Sequence, residues 1–286
     1  MSTDGSVSTT LQAAYILHYR QYQESSFIVD AFTLAHGRVT LMARSARASK
    51  PRTRALYQPF RPLLLSWVGA SDLRTLTGIE ESGQAMSMEN AQLACGYYIN
   101  ELVLRLLGKD QPQPAVFAYY SLALAELSAQ PAGSANTHRD SALQVTLRTF
   151  ELQLLDALGV LPDLRYCTPD GSAVEPDSQY RYHPANAVAV PVNSKTDGSL
   201  PLGIQKEKTR MGEGDSRNAS VQADGVTADD GVLISGESLL SLAALEFPSD
   251  KVLEDAKQLM RRILRVHLGD RPLNSRELFA SLASRE

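Results

Sequence analysis

Seven basic residues fall between positions 38 and 61: Arg38, Arg44, Arg47, Lys50, Arg52, Arg54 and Arg61. No Asp or Glu occurs between Asp30 and Asp72, although the 286-residue chain carries a net charge of −4. Positions 1–80 hold nine Lys/Arg against five Asp/Glu, a local +4, which leaves −8 for the remainder. The chemistry offered by such a segregated run is polyanion binding, because guanidinium and ammonium groups displace the counterions of a phosphate backbone. An ordinary solvated loop has a similar composition, but the lack of any compensating acid favours a phosphate site. Aromatic rings close in sequence could stack bases beside those phosphates: Tyr15, Tyr19, Tyr22, Tyr57 and Trp67. Tyr57, inside the run, is the better placed; Trp67, in an apolar segment, reads as core.

Other chemistries lack their residues. No phosphate-binding Gly-x-x-x-x-Gly-Lys-Ser/Thr loop, Gly-x-Gly-x-x-Gly turn, Gly-x-Ser-x-Gly elbow or His-Glu-x-x-His pair occurs. The five histidines are scattered, and Cys95 and Cys167 stand far apart. Two distant thiols argue for a reducing compartment and against a disulfide framework or a thiolate metal site. Nothing in the chain asks for catalysis or a cofactor. It has no apolar run of about 18 residues, the length a membrane span needs. Its first residues form a short polar tail without the features of a signal peptide. The expectation is a soluble cytoplasmic protein, associated with the nucleoid if its polyanion is DNA.

The basic run sits among short strands. Val39, Leu41 and Ala43 alternate with Arg38, Thr40, Met42 and Arg44, so 38–44 reads as a half-buried strand with a basic outer face. A Ser- and Pro-containing loop follows, expected to stay solvated. Strands are also expected over 12–20, with Ala13, Tyr15, Leu17 and Tyr19 on one face, and over 26–33, 60–68 and 73–79. Five strands in about 70 residues fit a closed barrel better than an open sheet with sticky edges.

The period then changes to 3.6. Helices are expected over 89–107, 115–129 and 138–158, and again over 238–245, 249–268 and 275–282. Leu143, Leu147, Phe150, Leu154 and Leu158 mark the core stripe of the third. Ser249 suits the N-cap of the fifth; Arg261, Arg262 and Arg265 lie towards its C-terminal end, where cations suit the helix dipole. Residues 193–231 are too polar to offset their ordering entropy and are expected to be disordered. The fold class is α+β: an N-terminal barrel, then a helical domain with a small irregular or β insertion. The expected division is 1–82 for the barrel, 83–160 with 235–286 for the helical domain, 161–192 for a small insertion and 193–234 for the polar insert.

Several short runs resemble one family. Gly37-Arg38-Val39, Ala46-Arg47, Gln58-Pro59-Phe60 and Pro62-Leu63-Leu64-Leu65 are similar to the N-terminal domain of the bacterial DNA repair protein RecO family. Tyr98-Ile99-Asn100-Glu101-Leu102 and Arg148-Thr149-Phe150-Glu151-Leu152 resemble its helical part, and Leu268-Gly269-Asp270-Arg271-Pro272-Leu273 with Ser275-Arg276-Glu277-Leu278-Phe279 its closing signature. The resemblance implies an OB-fold barrel and a non-enzymatic recombination mediator. Such a protein binds single- and double-stranded DNA, anneals complementary strands, engages the C-terminal tail of single-stranded DNA-binding protein (SSB) and works with RecR to load RecA. It makes 161–192 a degenerate zinc-finger region: many members carry four cysteines there, this chain has only Cys167, and no zinc is expected. An acidic tail ending in apolar residues needs a cation beside an apolar groove. By type alone Arg148 is a surface arginine covering its helix with its own stem. The resemblance assigns it, with Leu147 and Phe150, to the tail. A basic barrel alone leaves an RNA-binding module open, and a nuclease would need a carboxylate cluster near Asp30 or Asp72.

Overall fold

The computed structural model describes residues 8–130, 137–167, 170–183, 188–192, 231–269 and 271–275. The polar insert over 193–230 and most of the expected last helix over 275–282 lie outside the described residues.

Five strands, β1 (Ser8–Tyr22), β2 (Ser26–Thr33), β3 (Gly37–Ala43), β4 (Leu63–Val68) and β5 (Leu73–Glu81), close a barrel in the order β1-β2-β3-β5-β4. β3 and β5 run parallel, and the other pairs, including the closing β1–β4 pair, are antiparallel. This is the OB-like barrel expected from the spacing of the strands, and closure leaves no long edge unpaired. Val39, Leu41 and Ala43 of β3 and Leu63, Leu65 and Trp67 of β4 fill its interior, as their alternation requires. Between β3 and β4 lie a 3₁₀ turn over Ala46–Ala48 and a short helix, α1 (Pro51–Ala55), which starts on a proline already fixed at a helical φ.

β1 departs from the one-faced strand expected over 12–20. Ala14 and Ile16 point into the barrel, while Tyr15 and Leu17 point out into a second core shared with the helices. A register shift between Ile16 and His18 then turns the strand, and Tyr19 reaches solvent. β2 is two-faced as well: Val29 and Ala31 face inward and Phe32 faces the helices.

The helices α2 (Asn90–Leu106), α3 (Pro114–Ala129), α4 (Thr137–Ala157), α5 (Gly236–Ala243) and α6 (Asp250–Leu268) lie within one or two residues of the expected bounds. Ser249 caps α6 by accepting a hydrogen bond from the Val252 amide, 3.3 Å. A small antiparallel sheet, β7 (Val188–Pro191), β6 (Gln179–His183) and β8 (Val232–Ser235), packs on them through Tyr180, Tyr182 and Ile234. Val232 and Ile234 therefore belong to an ordered strand, although the polar insert was expected to run to 234. Cys167 and Val174 are buried in the same apolar core, so the 161–192 region is anchored by hydrophobic packing. Among the described residues no three His, Cys, Asp or Glu side chains gather as a metal site.

Barrel and helices are joined by polar ties as well as by the shared core. The buried Asn100 amide donates to the Leu17 carbonyl, 2.8 Å, and accepts from the Tyr120 hydroxyl, 2.6 Å. The Asp110 amide donates to the Arg38 carbonyl, 2.9 Å, and the Asp110 carboxylate pairs with Arg74, 2.7 Å. Gly37 makes that approach possible. Its φ is +66°, and a Cβ there would run into the Gln111 carbonyl. Gly37→Ala combines left-handed strain of about 1–2 kcal/mol with that collision. The expected result is a loss of at least about 2 kcal/mol in urea unfolding; wild-type stability would show that the loop over 107–113 yields freely.

Candidate nucleic-acid surface and cationic groove

The seven basic residues of the opening run divide into two groups. Arg44, Lys50, Arg52 and Arg54 are exposed, and none has an acidic partner among the described residues. They lie just after β3 and along α1, a basic stretch on the barrel called the ridge below. Of the other three, Arg47 and Arg61 are tied to the fold and Arg38 is partly enclosed. Arg47 donates through Nη1 to the carbonyls of Glu24, 2.8 Å, and Gln23, 3.4 Å, securing the β1–β2 turn. Arg61 pairs with Glu81 at 2.5 Å. Arg38 is half-buried, with its Nε enclosed and without a hydrogen-bond partner.

The linking segment is folded where a solvated loop was expected. Ala46 and Tyr57 plug into the barrel core at its two ends and hold it against β2. Tyr57 is only 6% exposed, and its ring meets Phe27 edge-on at 5.5 Å. Burial raises its hydroxyl above the ordinary tyrosine value. The expectation that Tyr57 offers a stacking face is therefore corrected: burying a large ring stabilises the fold more than exposing it, and α1 turns it inward. Tyr19, 37% exposed, shares a cleft with Arg54 of the ridge. Trp67 is core, as read.

A second basic feature lies in the helical part. A groove of about 580 Å³ opens between α4, α6 and the turn after α6. Leu147, Leu264, Leu268 and Pro272 supply apolar walls, and Arg148, Lys257, Arg261, Arg265 and Arg271 supply cations; no carboxylate lines it among the described residues. Leu147 and Arg148 thus share the groove, but Phe150 does not: it is 1% exposed and packs into the core on another face of α4. The cations on α6 lie four residues apart (257, 261, 265), and that spacing on one helical face was the available signal.

Arg148 is not the surface arginine suggested by its type. Its side chain is 8% exposed, and Nη2 donates to Glu151 Oε1 at 2.8 Å. The Tyr98 hydroxyl donates to the same carboxylate oxygen. Arg148 Nε and Glu151 Oε2 are buried without partners. Burial pushes the Glu151 carboxyl above the ordinary glutamate value, outweighing the opposing pull of the Arg148 charge and the Tyr98 hydroxyl. The far wall is clamped from α2. Arg105 donates to the carbonyls of Leu268, Arg271 and Pro272, and Glu101 accepts from the Asn274 amide and from the amide and hydroxyl of Ser275.

Comparison with known proteins finds relatives over nearly the whole chain. Residues 7–83, which span the barrel, match the family profile described as recombination protein O N terminal, and residues 91–203 match recombination protein O C terminal. The DNA repair protein RecO of Haemophilus influenzae strain Rd is 34% identical over 273 residues, covering 96% of this chain and 97% of that protein. This chain belongs to the RecO family. Its similarity extends to the DNA repair protein RecO of Glaesserella parasuis, 32% identical over 271 residues with 95% of each chain covered. That of Methylococcus capsulatus is 34% identical over 271 residues, covering 95% of this chain and 93% of the relative. Membership in a family of DNA repair proteins gives the chain a DNA repair role. No described helix is long and apolar enough to cross a membrane.

Proposed function

We propose that this RecO-family protein is a non-catalytic recombination mediator with two separate anionic partners. The observation that carries the reading is the division of the cations into an exposed basic stretch on the barrel and an apolar-walled groove in the helical part. A ridge of unpaired cations suits a phosphate backbone, single- or double-stranded, with no preference for sequence. Neutralising two strands on one surface lowers their repulsion and promotes annealing. A groove combining cations with leucines suits the SSB tail, whose acidic residues and terminal carboxylate take the cations while its apolar end enters the groove. Family membership supports the further role with RecR in loading RecA, and a cytoplasmic, nucleoid-associated location follows from DNA as the substrate. None of these steps calls on a cofactor. Asp30, one of the two acids nearest the basic run, accepts a hydrogen bond from Thr40 at 2.9 Å.

The test is annealing of complementary oligonucleotides, bare and SSB-coated, with RNA as competitor and with chelator present. The reading expects annealing on both templates, insensitive to chelation; failure on bare strands would overturn it, and equal competition by RNA would favour an RNA-binding module. The tail site has its own variant. Arg261 and Arg265 are exposed and stand outside the buried Arg148–Glu151 pair, so Arg261→Ala with Arg265→Ala is expected to fold as wild type. Each lost charge-assisted contact is expected to weaken an SSB tail peptide by about 1.5–3 kcal/mol while sparing naked DNA. Equal weakening towards peptide and DNA would place the groove in the DNA path.

A further inference from the structure

Between β1, β2 and α1 lies a cleft of about 250 Å³, lined by Tyr19, Phe27, Pro51, Arg54, Ala55 and Gln58. It is smaller than the roughly 300–1,000 Å³ of sites that enclose whole small molecules. Tyr19 is 37% exposed, yet its ring is braced from beneath. Phe27 meets it edge-on at 5.1 Å, and Tyr57 in turn meets Phe27 at 5.5 Å. A tyrosine 37% exposed, packed on a buried phenylalanine that is itself packed on a buried tyrosine, leaves part of its ring open to a ligand at the cleft. Arg54 stands at the same cleft without an acidic partner among the described residues, and Gln58 is exposed beside it. Tyr97 on α2 continues the aromatic surface. It is 36% exposed, meets Phe60 edge-on at 5.2 Å, and its hydroxyl is raised by burial first and by the nearby Tyr19 second.

We propose that this cleft is a base slot, in which one unpaired nucleobase stacks on Tyr19, Arg54 holds the adjoining phosphate and the Gln58 amide meets the base edge. The inference rests on the DNA-binding reading and deepens it. A π-face, a cation and an amide with both donor and acceptor form the minimal set for an unstacked nucleotide of any sequence. A duplex keeps its bases paired and stacked, so it uses the ridge and leaves the slot empty. The slot therefore favours single strands over duplex.

The test compares the full chain and its Tyr19→Ala and Tyr19→Phe variants on three probes: oligo(dT), an abasic deoxyribose-phosphate strand of equal length, and a duplex. Wild type is expected to bind oligo(dT) more tightly than the abasic strand. Tyr19→Ala should weaken oligo(dT) binding roughly five- to hundred-fold and leave the abasic strand and duplex unchanged. Tyr19→Phe should behave as wild type, because the ring and not the hydroxyl stacks. Equal wild-type affinity for oligo(dT) and the abasic strand overturns the slot without any variant being needed. So does a Tyr19→Ala effect that is absent or the same on all three probes. Salt-insensitive or absent binding of every probe by wild type would instead sink the DNA reading itself, which separates the two failures.

Discussion

Changing Arg44, Lys50, Arg52 and Arg54 together to alanine is expected to lower the slope of log affinity against log salt for single-stranded DNA by roughly 3 units, at about 0.7 per phosphate contact. The loss should be nearly the same for any strand sequence, because phosphate contacts supply affinity and position without reading bases. Folding should survive, since all four side chains are exposed and the segment is held by Ala46 and Tyr57. The informative controls are Arg47→Ala and Arg61→Ala. Those guanidiniums are engaged by the Glu24 and Gln23 carbonyls and by Glu81, so their loss should touch stability more than salt slope. A quadruple variant that keeps the wild-type slope and annealing rate would show that the ridge is a solvated surface and that DNA travels elsewhere.

Glu151→Ala is expected to cost about 3–5 kcal/mol of stability, because it leaves the Arg148 guanidinium buried without its counterion. Arg148→Ala should cost a similar amount by stranding the carboxylate. Removing both partners together, as Arg148→Ala with Glu151→Ala, should cost clearly less than the sum of the two single losses while weakening tail binding. Urea unfolding and peptide titration on the four proteins would separate the pair's structural role from its recognition role. Additive losses in the double variant would mean that the two side chains do not act as a pair. The site also has a pH signature. The folded carboxyl titrates above the ordinary glutamate value, so the fold binds this proton more tightly than the unfolded chain. The stability it contributes is complete below the ordinary value and is lost as pH rises through the raised one. Glu151→Gln should lack that slope, so its stability relative to wild type should rise across the same window. A constant difference across it would contradict a raised carboxyl.

Some of this was present in local pattern. The alternation in β3, the change of period near residue 89, the cap at Ser249 and the turn glycine Gly37 each depend on neighbours within a few residues, and each element formed where those neighbours placed it. Positive charge without nearby acid was equally plain, since charge is read directly from composition.

The partners of each face were not legible. Periodicity reports which side of its own element a residue occupies, never what packs there. Tyr15 and Tyr19 share a face of β1 by spacing, yet a bulge and the arrival of α3 bury one and expose the other. Tyr57 looked like part of a soluble loop until α1 folded it against Phe27. The groove brings α4 together with α6 and with Arg271, Pro272 and Leu273, more than a hundred positions further along the chain, and α2 holds that wall through Arg105. By itself the sequence determined the barrel, the helices and the sign of the charge, because those follow from local sterics and alternation. Tertiary structure alone decided which of the seven cations face solvent, which aromatics stay exposed and where cations and leucines share a groove, because each depends on desolvation by distant segments.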